Sequence, residues 1–315
     1  MPLGHSRLFD YLSGAPRILV AGAGGGCDVY CGLPIYLALR ERGAEVHLAN
    51  LSFADLSRSE RIGEALFEVR ASDEGPEYAP ELHLARWLGH RGIEAPVHAF
   101  ARVGLRPIAD GYRELVERLR LDAIVLVDGG TDSLMRGDEF HLGTPEEDVA
   151  SLVAVSGTKP SRKALVCTAF GVDAFHGICH AQFLENIAHY AQHGGYLGAF
   201  SMDAELDEVQ AYLEAVRDLC ARQPRVESIV NTSVASAIEG FYGDYHRSHR
   251  TAGAKLWINP LMALAWSFEL EAVASRLLYR DAIAETRTYE ELDEAIRQFR
   301  AKIYSRRRPF EEIPA

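Results

Sequence analysis

Four carboxylates crowd one short stretch of the chain, DGGTDSLMRGDE from Asp128 to Glu139: Asp128, Asp132, Asp138 and Glu139. Carboxylates gathered this closely repel unless a cation, a proton or an arginine intervenes. Their oxygens are the hard donors that Mg²⁺, Mn²⁺ or Ca²⁺ prefers, which makes Asp128 and Asp132 candidate metal ligands. Gly129 and Gly130 permit a tight turn and close backbone approach to a phosphate or to sugar hydroxyls. Asp132, Asp138 and Glu139 are then candidate catalytic groups for moving protons. Two other chemistries fit the same residues. Carboxylates bind ribose hydroxyls as readily as metal, and a solvated turn would let Asp132 cap a short helix while Arg136 pairs with Glu139.

A second cluster, GAGGGCD from Gly22 to Asp28, places Gly24, Gly25, Gly26 and Asp28 after an apolar run, where backbone N–H groups at a helix start could hold phosphate. The dinucleotide fingerprint G-x-G-x-x-G would need glycine at Cys27 and an acid where Asn50 stands, so a nicotinamide dinucleotide gains little from the pattern. Cys27 and Cys31, one helical turn apart, read as small buried hydrophobes rather than nucleophiles. Asp173, His176 and His180 stand at i, i+3 and i+7. The glutamate of H-E-x-x-H is absent, so His176 is a candidate general base or substrate contact rather than a zinc ligand. Asn231 ends another apolar run and is a candidate ligand contact. The segment EGFYGDYHRSHR, within residues 239–254, mixes aromatic rings with arginines. It reads as a lid in which Arg247 meets phosphate, or as an ordinary surface loop or subunit contact.

The elements that would position these groups alternate. Strands are predicted at Arg17 to Gly22, Glu45 to Asn50, Leu66 to Val69, Val97 to Ala101, Ala123 to Val127, Ala164 to Phe170, Tyr196 to Phe200, Val226 to Val230 and Lys255 to Ile258. Helices are predicted from Asp28 through about Arg42 and at Tyr78 to Leu88, Pro107 to Arg120, Glu146 to Val155, His180 to Gln192, Asp207 to Arg222, Met262 to Leu278 and Tyr289 to Ile303. Thr144-Pro145-Glu146-Glu147 has the form of a capping box with proline at the first helical position. Such alternation implies an α/β fold: a Rossmann-like, doubly wound, mainly parallel sheet with helices on both faces. In such sheets ligands bind where the strands end, which is where these polar clusters fall.

With no repeat or linker in 315 residues, one domain over 1–315 is expected. A net charge of -12 argues against nucleic acid as a partner, since a duplex binder needs a basic face. No run is apolar and long enough for a signal peptide or a membrane span, and five cysteines without a C-x-x-C pair fit reduced thiols, so the cytoplasm is expected. A small-molecule ligand and self-association into a homo-oligomer remain open as partners.

The stretches Gly22 to Asp28, Asp128 to Glu139 and the following GTPEED resemble a bacterial and archaeal family known as domain of unknown function 1152, over nearly the whole chain. That resemblance implies a Rossmann-like fold and no particular reaction. The same loops are more distantly similar to the glycine–acid loops with which phosphofructokinase-like and nucleoside-processing enzymes hold phosphate or ribose. The expectation is therefore an enzyme acting on a small phosphorylated or ribosylated, nucleotide-like metabolite by metal-assisted hydrolysis or group transfer, with Mg or Mn as cofactor. A non-catalytic ligand-binding or sensing protein and a nicotinamide-dependent oxidoreductase are the alternatives.

Overall fold

Apolar runs bounded by charged residues assemble into one nine-stranded sheet in the computed structural model, which describes residues 6–313. Residues 1–5 and 314–315, which the sequence-based domain 1–315 includes, lie outside the described residues. The strands are β1 (Arg17–Gly22), β2 (Glu45–Ser52), β3 (Glu60–Arg61), β4 (Leu66–Val69), β5 (Val97–Ala101), β6 (Ala123–Asp128), β7 (Arg162–Cys167), β8 (Tyr196–Ser201) and β9 (Leu264–Glu269). The α-helices are α1 (Arg7–Leu12), α2 (Asp28–Cys31), α3 (Leu33–Glu41), α4 (Pro80–His90), α5 (Leu105–Arg118), α6 (Pro145–Ser156), α7 (His180–Gln192), α8 (Asp207–Arg222), α9 (Ile229–Ile238), α10 (Leu270–Ala274), α11 (Arg280–Ile283) and α12 (Tyr289–Lys302).

The spatial order is β3-β4-β5-β2-β1-β6-β7-β9-β8. Its centre, β5-β2-β1-β6-β7, is parallel, and antiparallel strands extend it on both sides. Successive side chains of a strand point to opposite faces. Accordingly Ile18, Val20, Val125 and Val127 pack on one face with α3 and α8, while Leu19, Ala21, Ile124 and Leu126 pack on the other with α5 and α6. All of β6 is buried. Each of its valines, leucines and isoleucines contributes about 1.5–3 kcal/mol on leaving water. That double burial explains a continuous apolar run where a half-exposed strand would alternate.

Four expectations are corrected. Met262 to Leu278 is not one helix: after a 3₁₀ turn it supplies β9 and then α10. Trp266 and Phe268 favour a pleated surface, and the slot between β7 and β8 overrides the helical spacing. Val226 to Val230 is not a strand, because Ser228 caps α9 by accepting the Asn231 backbone N–H at 3.1 Å. Lys255 to Ile258 is likewise irregular, with one isolated bridge from Ile258 to Gly243. The helix expected from Asp28 to about Arg42 breaks at Gly32, where Pro34 supplies no N–H and any Cβ at Gly32 would lie 2.8 Å from Val20.

Candidate functional site

The sheet reverses its strand order at β1: β2 lies on one side and β6 on the other. Register brings the ends level, with Gly22 beside Asn50 and Val127, and Asp128 beside Cys167. The chain leaving β1 at Gly24–Asp28 and the chain leaving β6 at Gly129–Asp132 therefore diverge from one crevice, the place where α/β sheets accept ligands. A cavity of about 210 Å³ opens there, and its walls carry Asp28, Asp128, Asp132, Glu147, Asp148 and Asp173 together with Gly24, Gly25, Gly129 and Gly130.

Oxygens of Asp28, Asp128 and Asp148 lie within 4.8 Å of one another, and all three residues are buried. Each acid has a distinct local support. Asp28 Oδ2 accepts the Gly24 N–H at 2.9 Å, and Asp128 Oδ2 accepts the Ser133 hydroxyl at 2.5 Å. Asp132 Oδ2 accepts from the Thr144 N–H at 2.9 Å and its hydroxyl at 3.2 Å. Asp173 Oδ2 accepts the Thr131 N–H at 2.7 Å. Asp148 Oδ1 has no hydrogen-bond partner, although the residue is 2% exposed. A buried oxygen of this kind normally finds a donor, and leaving one without costs about 1–3 kcal/mol.

The glycines are there because side chains would collide with these acids. A Cβ on Gly24 would lie 2.3 Å from Asp148 Oδ1 and 2.8 Å from Asp28 Oδ2. One on Gly130 would lie 2.6 Å from Asp173 Oδ2 and 3.1 Å from Asp128 Oδ1 and Asp132 Oδ1. Burial, reinforced by the neighbouring acids Asp132 and Glu147, pushes Asp28 up to about 8 despite the amides of Gly129 and Gly24. Burial and mutual repulsion also hold Asp128, Asp148 and Asp173 well above the ordinary carboxylate range. Glu147 rises to about 7, chiefly through burial and then through Glu146 and Asp132. Without a compensating cation this wall cannot be fully ionised.

The structure brings together Gly24, Gly25, Asp28, Asp128, Gly129, Gly130, Asp132 and His176 at the cavity, with Gly26 adjoining under the Tyr78 hydroxyl. Other expected site residues stand elsewhere. Asp138 pairs with Arg136 and Arg308, and Glu139 is fully buried, accepting from the Arg136 and Gly137 amides and pairing with Arg308. Those contacts make both acids anchors of the loop, because their oxygens are already neutralised away from the cavity. Asn231 is fully buried, donating to the Cys27 carbonyl at 3.1 Å and to Ser228 Oγ at 2.9 Å. Arg247 pairs with Glu239, and it is Arg250, three residues on, that reaches the cavity wall.

Two of the glycine amides are already spent within the protein: Gly24 donates to Asp28 in the loop and Gly26 to the Leu51 carbonyl of β2 at 3.0 Å. Burial pushes the Cys27 thiol up to about 12, so it is no thiolate nucleophile. Asp148 and Glu147 were missed as site groups, and Arg250 was read only as one of the arginines of the lid segment. A signal existed for Asp148, whose spacing puts it on the same buried helical face as Ser151, Leu152 and Val155. The expected cap also differs: the Thr144 hydroxyl serves Asp132 and not the start of α6.

Among the described residues no helix is long and apolar enough to cross a membrane. A comparison with curated proteins gives no match. A family model described as Protein of unknown function (DUF1152) matches residues 19–305, a span containing every strand from β2 to β9, β1 from Leu19 onward, and the whole carboxylate crevice. The chain therefore belongs to the DUF1152 family.

Proposed function

We propose that the protein is an enzyme that holds a divalent cation, Mg²⁺ or Mn²⁺, and acts on a small phosphorylated or ribosylated metabolite by hydrolysis or group transfer. The observation that carries this is the trio Asp28, Asp128 and Asp148, buried with oxygens within 4.8 Å, one of them lacking any donor. An all-oxygen donor set suits Mg²⁺ or Mn²⁺, and a cation there would offset the burial and the repulsion that keep these acids from ionising. Asp132, the other acid expected at the metal, lines the same cavity with Oδ2 held by Thr144. When bound, such a cation polarises a phosphoryl oxygen.

The residues of the chain supply the rest. In hydrolysis a water oxygen bonds to phosphorus as the bond to the leaving oxygen breaks. Asp132 accepts the water proton and His176 returns one to the leaving oxygen, both from positions on the cavity wall. Arg250, on the segment 239–254, faces the cavity and balances substrate charge, which supports reading that segment as a lid. The parallel centre β5-β2-β1-β6-β7 and the position of the crevice support a Rossmann-like, doubly wound description within a single domain. A nicotinamide dinucleotide has no comparable support. Asn50, where a ribose-binding acid would stand, is fully buried and donates to the Gly26 carbonyl at 2.7 Å and to Glu81 at 2.6 Å.

Calorimetric titration of chelator-treated protein with Mn²⁺ tests the cation. The wild type binds Mn²⁺ and Asp128→Asn loses at least about tenfold in affinity, in line with the loss of one ligand. No Mn²⁺ binding by the wild type would refute the proposal. With Mn²⁺ present, a panel of phosphate esters and ribosides followed by mass spectrometry should reveal a product that Asp132→Asn fails to form while remaining folded. A ligand that raises Tm and is never converted would make the protein a binder and not an enzyme.

A further inference from the structure

The acid-lined cavity is not a dead end. Asp173, His176, Ile229, Val230 and Arg250 line it and also line a second chamber of about 790 Å³. The two differ in character. Carboxylates and glycines make the first, whereas Phe175, Leu256 and Trp257 dominate the second, with Lys255 and Arg250 as its cations and Asp173 and Asp244 as its acids. Phe175 is 76% exposed and Trp257 43% exposed, so both rings present apolar area to whatever fills the chamber. His180 lies between Phe170, with ring centroids 4.8 Å apart and planes tilted by 36°, and Trp257, at 6.1 Å and 37°, which sets the indole as one wall.

We infer that this second chamber selects the substrate, and that the substrate is a phosphate ester with a flat aromatic body, such as a nucleobase, stacked on Trp257 while its phosphate reaches past His176 and Arg250 to the acids. The inference rests on the cation-dependent reading for the phosphate end only. Three observations converge on it. The shared wall lets one molecule occupy both spaces, the larger space is in the range that ligand pockets use, and its exposed large side chains are aromatic next to cations that attract an anion. Trp257 is a specificity-determining residue here and takes no part in bond breaking.

The protein carries its own reporter. Of its three tryptophans Trp87 and Trp266 are 4% and 7% exposed, so a ligand in the chamber meets Trp257 alone. Adenosine 5′-monophosphate, ribose 5-phosphate and decyl phosphate are titrated into the full chain, with Mn²⁺ and again in chelator, following tryptophan emission and heat. Adenosine monophosphate should bind at least about tenfold more tightly than ribose 5-phosphate and quench emission, and Trp257→Ala should remove about that factor for it alone, as base–aromatic stacking implies. Mn²⁺ affinity should be unchanged in Trp257→Ala. Equal affinity for the first two ligands, a Trp257→Ala protein that binds adenosine monophosphate normally, or decyl phosphate as the tightest ligand would each overturn the inference. Loss of Mn²⁺ binding with the adenosine preference intact in chelator would refute the cation reading and leave the chamber assignment standing.

Discussion

Replacing Asp148 with asparagine should stabilise the metal-free protein. Two unit charges separated by the 4.8 Å that bounds the Asp28, Asp128 and Asp148 oxygens repel by about 3.5 kcal/mol at an effective dielectric near 20. Asparagine removes two of the three repulsions and offers Asp28 or Asp128 an amide donor. A carboxyl escapes repulsion by taking a proton, which near pH 7 limits the relief to about 4 kcal/mol. The sign follows from the direction of the shift. Asp148 holds its proton more tightly folded than unfolded, so its stability contribution is fully present at pH below the unfolded value and lost as pH rises through the raised one.

Chemical denaturation in chelator at pH 7 should therefore place Asp148→Asn about 1–4 kcal/mol above wild type, with the gap closing towards pH 4. Saturating Mn²⁺ should invert the order. At 1,000 times its Kd a cation adds about 4.1 kcal/mol to a protein that binds it, and the variant gains little. An Asp148→Asn protein that is less stable than wild type in chelator by a kcal/mol or more would refute the reasoning, because the acid would then be a structural member and not a ligand held against repulsion.

Gly130→Ala places a Cβ 2.6 Å from Asp173 Oδ2, so Mn²⁺ affinity measured by calorimetry should fall at least about tenfold while far-ultraviolet dichroism is unchanged. Glu139→Gln should do the reverse: it unpairs the buried contact to Arg308 and costs about 3 kcal/mol in denaturation, with Mn²⁺ affinity untouched. His98 is held down at about 4 by burial first and then by His47, Arg118 and Arg70, with Glu68 facing it at 3.9 Å. Its depressed value contributes stability above about pH 6.5 that is lost as pH falls towards 4, at most about 3 kcal/mol, and His98→Gln should flatten that limb of the pH–stability curve.

The parallel centre was legible because β6 and β1 are apolar on both faces and end abruptly at Asp128 and Gly22, which is also why the crevice could be located. Within the acidic loop, spacing could not sort the carboxylates. Asp128 and Asp132 turn inward, whereas Asp138 and Glu139 answer to Arg308, a residue 169 positions beyond Glu139. Asp148 was concealed in a helix start, where acids are expected for capping and dipole reasons alone. Long-range pairing likewise hid β9: its residues fit a helix locally, and only the open edges of β7 and β8 decide for a strand.

That insertion of β9 between β7 and β8 carries a consequence for biosynthesis. β8 leaves the ribosome well before Leu264 does, so until β9 arrives the nascent chain carries two unpaired sheet edges, at Ala164–Cys167 and Tyr196–Ser201. Exposed edges template association with other chains, and pairing across so long a sequence gap is slow. Release of chains ending before Leu264 should yield aggregates, while the completed molecule seals both edges with a single late strand.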